Sequence, residues 1–270
     1  MIGLKAKHVV LIADDSATVR HILRSILERE DRDLEILEAS NGDECSRLLQ
    51  SGQIDIAFID QYMPGMNGID AIRQTDCANK SAFIVVMSAN ATDADIENAR
   101  KAGVYEFLKK PFQASDVQQL LAQHDHISIM RPILIVDDSK VVRKLVRQVL
   151  ENSQFNLSVS EAAHSDTACQ LASRIPFNLA LIDFNMPGKN GLETARLIRS
   201  LQPQARIILM TSEATPELVA RARQDRLAGF LKKPFYREEL DQILHLVLGL
   251  QAPRFDNSTP EEEPDDVVML

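Results

Sequence analysis

The sequence predicts an α/β protein built from two tandem copies of one domain, each a parallel five-stranded sheet covered by helices on both faces. Three observations lead there. First, FLKKPF occurs at 107–112 and returns 123 residues later at 230–235. At the same offset VLIADDSATVR (10–20) falls on ILIVDDSKVVR (133–143), AFIDQYMPGMNG (57–68) on ALIDFNMPGKNG (180–191), and IVVMSAN (84–90) on IILMTSE (207–213), with no insertion between blocks. Second, this unit is much longer than the ~20–50 residues of a solenoid repeat, and a chain of 270 residues accommodates two domains of ~100–200 residues. Third, short apolar runs alternate with helical periodicity throughout each unit, the pattern of a parallel sheet buried on both sides.

In the first copy VVLIA at 9–13 reads as a buried strand. Val19, Ile22, Leu23, Ile26 and Leu27 then follow the i, i+3, i+4, i+7 spacing of an amphipathic helix, with Ser16 placed to cap it. Further strands are predicted near 34–38, 54–59, 82–87 and 104–108, with helices over 43–51, 67–76, 92–102 and 113–123. The second copy repeats the order, with strands near 132–136, 157–161, 178–182, 206–210 and 228–232 and helices over 140–150, 165–174, 190–200, 215–226 and 236–248. A short link over 124–131, HDHISIMR, separates a first domain at 1–127 from a second at 128–250. Residues 251–270 carry Pro253, Pro260, Pro264 and six acidic residues, which predicts a flexible acidic tail.

Composition removes several classes of function. Asp+Glu 39 against Lys+Arg 30 gives a net charge of −9, which argues against a general nucleic-acid or membrane binder. Cys45, Cys77 and Cys169 are odd in number and form no CxxC, so neither a disulfide framework nor a zinc site is expected. No apolar run approaches the ~18 residues of a membrane span, and the first residues lack a signal peptide's apolar region. The expectation is a soluble, cytoplasmic protein.

Open parallel sheets place ligands beyond the carboxyl ends of their strands, so the polar residues that follow each strand should share one site. These are Asp14 and Asp15, Asp60, Ser88, and Lys110 before Pro111 in the first copy. In the second they are Asp137 and Asp138, Asp183, Thr211, and Lys233 before Pro234. A single aspartate after a strand is commonly just a helix cap, but here the whole set recurs at matched spacing. The first aspartate lies 46 residues before the third, the hydroxyl 28 after that third aspartate, and the lysine 50 after it, in both copies. Three converging carboxylates repel one another and call for a counter-cation. An oxygen-rich set suits Mg²⁺, which often shares its sphere with a phosphate. The lysine adds a second positive charge, and one carboxylate becomes a nucleophile able to form an acyl phosphate. Asp60 and Asp183, each set apart from its acidic pair, are the natural nucleophiles.

The motif set of DD, DxxMPxxxG, Ser or Thr, and KPF resembles the receiver domain of two-component response regulators, over about 7–124 and 131–249. The resemblance implies a flavodoxin-like (βα)5 three-layer fold with strand order 2-1-3-4-5 in each copy. It also implies that Asp60 and Asp183 accept phosphoryl from a histidine kinase or histidine phosphotransfer protein. Asp15 and Asp138 would ligate Mg²⁺, assisted by Asp14 and Asp137 and by the backbone carbonyls of Tyr62 and Asn185. Ser88 and Thr211 would contact the phosphoryl oxygens, Lys110 and Lys233 would pair with the phosphoryl group and its carboxylate, and the two Lys–Pro bonds would be cis. The second copy, with Asn185 and Glu213, resembles single-domain chemotaxis regulators. The expected function is a tandem receiver that switches protein partners or relays phosphoryl groups, with no activity on an external metabolite and a homodimer left open. The alternative is the regulatory half of a longer regulator, such as a two-receiver diguanylate cyclase. A phosphatase of the aspartate-nucleophile type would need a second Asp two residues after the first, where Tyr62 and Asn185 stand.

Overall fold

The computed structural model describes residues 7–75, 82–213, 215–250 and 267–269. The chain divides into two compact units between His126 and Ile127. The first contains β1 (His8–Ala13), α1 (Ala17–Leu27), β2 (Leu34–Ala39), α2 (Gly42–Gln50), β3 (Ile56–Asp60), α3 (Gly68–Arg73), β4 (Phe83–Ser88), α4 (Asp93–Lys101), β5 (Glu106–Lys109) and α5 (Ala114–Ser128). The second contains β6 (Arg131–Val136), α6 (Lys140–Glu151), β7 (Leu157–Ala162), α7 (Ser165–Ala172), β8 (Leu179–Asp183), α8 (Gly191–Leu201), β9 (Arg206–Thr211), α9 (Pro216–Gln224), β10 (Gly229–Lys232), α10 (Arg237–Leu248) and β11 (Val267–Met269).

The first sheet is parallel, in the order β2-β1-β3-β4-β5. The second runs β7-β6-β8-β9-β10 in the same parallel sense, with β11 added at its end. Both sheets therefore have the predicted 2-1-3-4-5 order. The central strands are buried along their whole length because helices cover both faces: every residue of β3, β4 and β8 is buried. This is why they read as continuous apolar runs rather than alternating ones. Register aligns the carboxyl ends, pairing Ala13 with Ile59, Asp60 with Met87, and Ser88 with Lys109. The polar residues that follow the strands thus gather at one rim.

The helices lock onto the sheet by matched means in the two units. Ser16 caps α1, its side chain accepting the Val19 N–H, and Ser139 does the same for α6 with Val142. Arg20 and Arg24 of α1 both donate to the Glu38 carboxylate, at 3.1 and 2.6 Å. Arg143 and Arg147 do likewise to Glu161. Arg24 first, then Arg20, hold Glu38 below the ordinary carboxylate range, and Arg147 and Arg143 act the same way on Glu161. A depressed carboxylate stabilises the fold above its unfolded value near 4.5 and loses that contribution as pH falls through the folded value. Since these carboxylates are about one-third exposed, each pair is worth only ~0.5–1 kcal/mol. The double variant Glu38→Gln, Glu161→Gln should unfold at lower urea than the parent at neutral pH, and the gap should narrow as pH falls below the unfolded value near 4.5. A gap that does not narrow on acidification would contradict the assignment.

Two expectations change. The link near 124–131 is shorter than predicted, because α5 runs on to Ser128 and leaves only Ile129 and Met130 before β6. The apolar stripe Val117, Leu120, Leu121 continues through His124 and Ile127, all buried. His124 packs edge-on against Phe83 and His8, and burial pushes its imidazole down to about 4, so it serves as an uncharged core ring. In the sequence it reads as a polar link residue. Within the stretch expected to be a flexible tail, 251–270, Val267–Met269 form a strand antiparallel to β10, and its other residues lie outside the described ones. The predicted end of the third helix at 76 and Cys77 lie outside the described residues. Cys45 is buried, which pushes its thiol up to about 12. Among the described residues no helix is long and apolar enough to cross a membrane.

Candidate functional site at the strand carboxyl ends

In each unit the structure gathers the predicted acidic residues with the predicted lysine. Lys110 Nζ lies 2.7 Å from Asp14 and 2.8 Å from Asp60. Lys233 Nζ lies 2.6 Å from Asp137 and 2.9 Å from Asp183. The lysines arrive there because β5 and β10 end beside β4 and β9. The Lys110 N–H donates to the Ser88 carbonyl at 2.8 Å, and the Lys233 N–H to that of Thr211 at 2.7 Å. Both Lys–Pro bonds that follow are cis, as expected.

The first acidic loop is fixed from two sides. Asp14 accepts the Ser16 N–H at 2.9 Å, and Asp137 that of Ser139 at the same distance. From behind, Arg20 donates to the carbonyls of Asp14 and Asp15 at 2.8 and 3.3 Å, and Arg143 to those of Asp137 and Asp138 at 2.8 and 3.2 Å. One guanidinium therefore ties the acidic loop to the Glu38 or Glu161 pair on the neighbouring strand. Sequence reasoning assigned these arginines no role, although each closes a repeated block, VLIADDSATVR or ILIVDDSKVVR.

Asp60 and Asp183 end β3 and β8 and are buried. Burial raises their carboxyls above the usual range, more than the lysines and the Tyr62 or Asn185 backbone N–H lower them. Burial acts to lower Lys110 and Lys233, yet the two aspartates facing each one hold it above its ordinary value. The loop from Asp60 to α3 turns at Gly65, and that from Asp183 to α8 turns at Gly188, at φ +81° and +82°. Asn67 and Asn190 then cap the helices.

Oxygens of Asp14, Asp15 and Asp60 lie within 4.8 Å of one another, as do those of Asp137, Asp138 and Asp183. In each set Asp15 or Asp138 is the exposed member. Three carboxylates against one lysine leave uncompensated negative charge, and all the donors are hard oxygens, a set that fits a small divalent cation. Tyr62 and Asn185 follow in the adjoining loop with exposed side chains.

The two hydroxyls differ. Ser88 is buried and its Oγ has no hydrogen-bond partner. Thr211 is equally buried, but its Oγ1 donates to the Glu213 carbonyl at 2.8 Å and accepts the Glu213 N–H at 3.2 Å. The residue after each central aspartate differs too. Gln61 is buried with its Nε2 3.1 Å from the Tyr62 hydroxyl, whereas Phe184 packs on the apolar core.

A family model described as the response regulator receiver domain matches residues 10–122 and again 133–245. The chain belongs to this family, twice over. The first receiver and the second each keep the full acidic and lysine set. Among curated proteins, the chain is 39% identical over 112 residues to the chemotaxis protein CheY of Thermotoga maritima, covering 42% of this chain and 92% of that one. It is 30% identical over 120 residues to protein CcdB of Bacillus subtilis, covering 44% and 99%. A solved structure named "probable two-component system response regulator/GGDEF domain protein" superposes with a TM-score of 0.61 at 24% identity, covering 90% of this chain and 98% of the other. At that identity it supports the tandem receiver fold alone.

Proposed function

We propose that both receivers are phosphoryl acceptors, with Asp60 and Asp183 as the acceptor carboxylates. The single observation that carries this is the doubled convergence of an acidic pair, a buried aspartate and a lysine at hydrogen-bond distance. A carboxylate oxygen attacks phosphorus, the bond from phosphorus to the donor nitrogen or oxygen breaks, and an acyl phosphate forms while the donor leaves with the electron pair. Asp15 and Asp138, assisted by Asp14 and Asp137 and by the Tyr62 and Asn185 carbonyls, would hold Mg²⁺. When bound, that ion supplies charge neutralisation for the incoming phosphoryl oxygens.

This chain's own groups do the rest. Lys110 and Lys233 already touch the acceptor oxygen and are placed to follow the transferred charge. The Ser88 hydroxyl lacks a partner in the resting state and gains one from a phosphoryl oxygen. Thr211 has to exchange its Glu213 bonds for the same contact. The donor would be a histidine kinase or histidine phosphotransfer protein, as is general for receivers. The output is a changed affinity for a protein partner, or onward transfer of the phosphoryl group, in the cytoplasm.

Incubation with a small acyl phosphodonor and Mg²⁺, read by intact mass, should add two phosphoryl groups per chain. Asp60→Asn and Asp183→Asn should each remove one, and the double variant both. Undiminished labelling of the double variant would overturn the assignment, as would failure of the parent to label.

A further inference from the structure

The outer edge of β10 is occupied, and its occupant comes from this chain. The Lys233 N–H, one residue past β10, donates inward to the Thr211 carbonyl of β9 at 2.7 Å. Alternation along the strand then turns Leu231 and Gly229 toward β9, in keeping with the parallel register, and the N–H and C=O of Phe230 outward. Register sets Val268 opposite Phe230 in antiparallel pairing, the position where outward groups need a partner. We infer that the β10 edge is a strand-accepting surface whose resident ligand is Val267–Met269 bound in cis, so that an extended apolar segment from any partner must displace it.

Two further observations favour this occupant. Three paired residues bind weakly on their own, but a tether of 16 residues, 251–266, raises the local concentration to about the millimolar range. Charge also matches at one end of the ladder. Asp265 and Asp266 immediately precede Val267, and its partner Leu231 immediately precedes Lys232 and Lys233. The first receiver differs: β5 ends its sheet, and among the described residues no strand pairs with its outer edge. This inference does not depend on phosphoryl transfer. Because Lys233 directly follows β10, the covered edge and the acidic site nonetheless share one strand.

Residue-resolved amide exchange on the full chain tests it. The Phe230 amide should be protected, and Val268→Pro, which deletes the donor of β11 that faces it, should speed its exchange at least about tenfold. Leu231, turned toward β9, should be unaffected and report that the receiver stays folded. A peptide of residues 265–270 added in excess to the proline variant should restore protection. Equal exchange in parent and variant, or no restoration by the peptide, would overturn the strand-accepting edge. Protection in the parent that disappears on hundredfold dilution would overturn the cis assignment.

Discussion

Lys110→Met should destabilise the first receiver in the absence of divalent cations by about 3 kcal/mol and cut phosphoryl uptake at Asp60 by ~10²-fold or more. Methionine keeps an unbranched apolar stem, so the change removes mainly charge. What remains is Asp14, 1% exposed, facing Asp60, 10% exposed, with no cation between them. Breaking one side of a buried pair costs more than the pair contributes, because the stranded charge stays desolvated. The lysine's own partial exposure, 21%, lets water reach the vacated position and keeps the loss near the lower end of the usual ~3–5 kcal/mol. Saturating Mg²⁺ should recover most of the stability, since it binds the folded acidic set and not the unfolded chain. It should not recover the uptake, because the lysine acts at the acceptor oxygen itself. Lys233→Met should behave the same way in the second receiver while leaving Asp60 labelling unchanged. Urea denaturation with and without Mg²⁺, beside mass spectrometry of the labelled chain, separates the two effects. An unchanged or raised urea midpoint without Mg²⁺ would show that the lysine does not offset the acidic cluster.

The features legible in the sequence share one physical property: they are spaced by the backbone. Strands buried on both faces must be apolar throughout, so VVLIA and its counterparts stand out, and the polar residue after each must lie at the common rim. Asp60 and Lys110 could therefore be paired across 50 residues from register alone. Contacts set by side-chain reach were not legible. Arg20 crosses from α1 to the back of the Asp14–Asp15 loop, and a helix-surface arginine usually carries no such information. His124 belongs to the core only because Phe83 and His8 are there to pack against it. The difference between the unpartnered Ser88 hydroxyl and the bonded Thr211 hydroxyl is a matter of loop geometry. The strand at 267–269 was hidden by the Pro- and acid-rich stretch before it. It is short, and its partner is an edge rather than a core.

Gly68→Ala should damage the first receiver directly at its acceptor. A Cβ at this position would sit 2.2 Å from the Asp60 carbonyl oxygen and 2.9 Å from Ile59 Cγ2. At Gly191 it would sit 2.3 Å from the Asp183 carbonyl oxygen and 2.7 Å from the Phe184 Cα. These close neighbours are mostly backbone atoms, and that backbone is itself held. The Gly68 N–H donates to the Gln61 carbonyl at 3.0 Å, and the Gln61 N–H donates to that of Met87 at 2.9 Å. Relief therefore requires α3 to lift away or the end of β3 to shift, at the upper end of the ~1–3 kcal/mol typical of overpacking, or beyond it. Either movement displaces Asp60 from Lys110, and a misplacement of about 1 Å at a reacting group costs ~10²-fold in rate. Gly103→Ala is the informative control. Gly103 has φ +82° with no atom within 4 Å of an added Cβ, so alanine there incurs backbone strain but meets no obstacle. Both variants should lower the urea midpoint, yet only Gly68→Ala should abolish labelling of Asp60 in chains still folded by circular dichroism. Equal labelling of the two would mean that this glycine serves the stability of the receiver and not the placement of its acceptor. On the geometry above it serves both, because the helix that follows the acceptor loop can approach the acceptor's own carbonyl only where a side chain is missing.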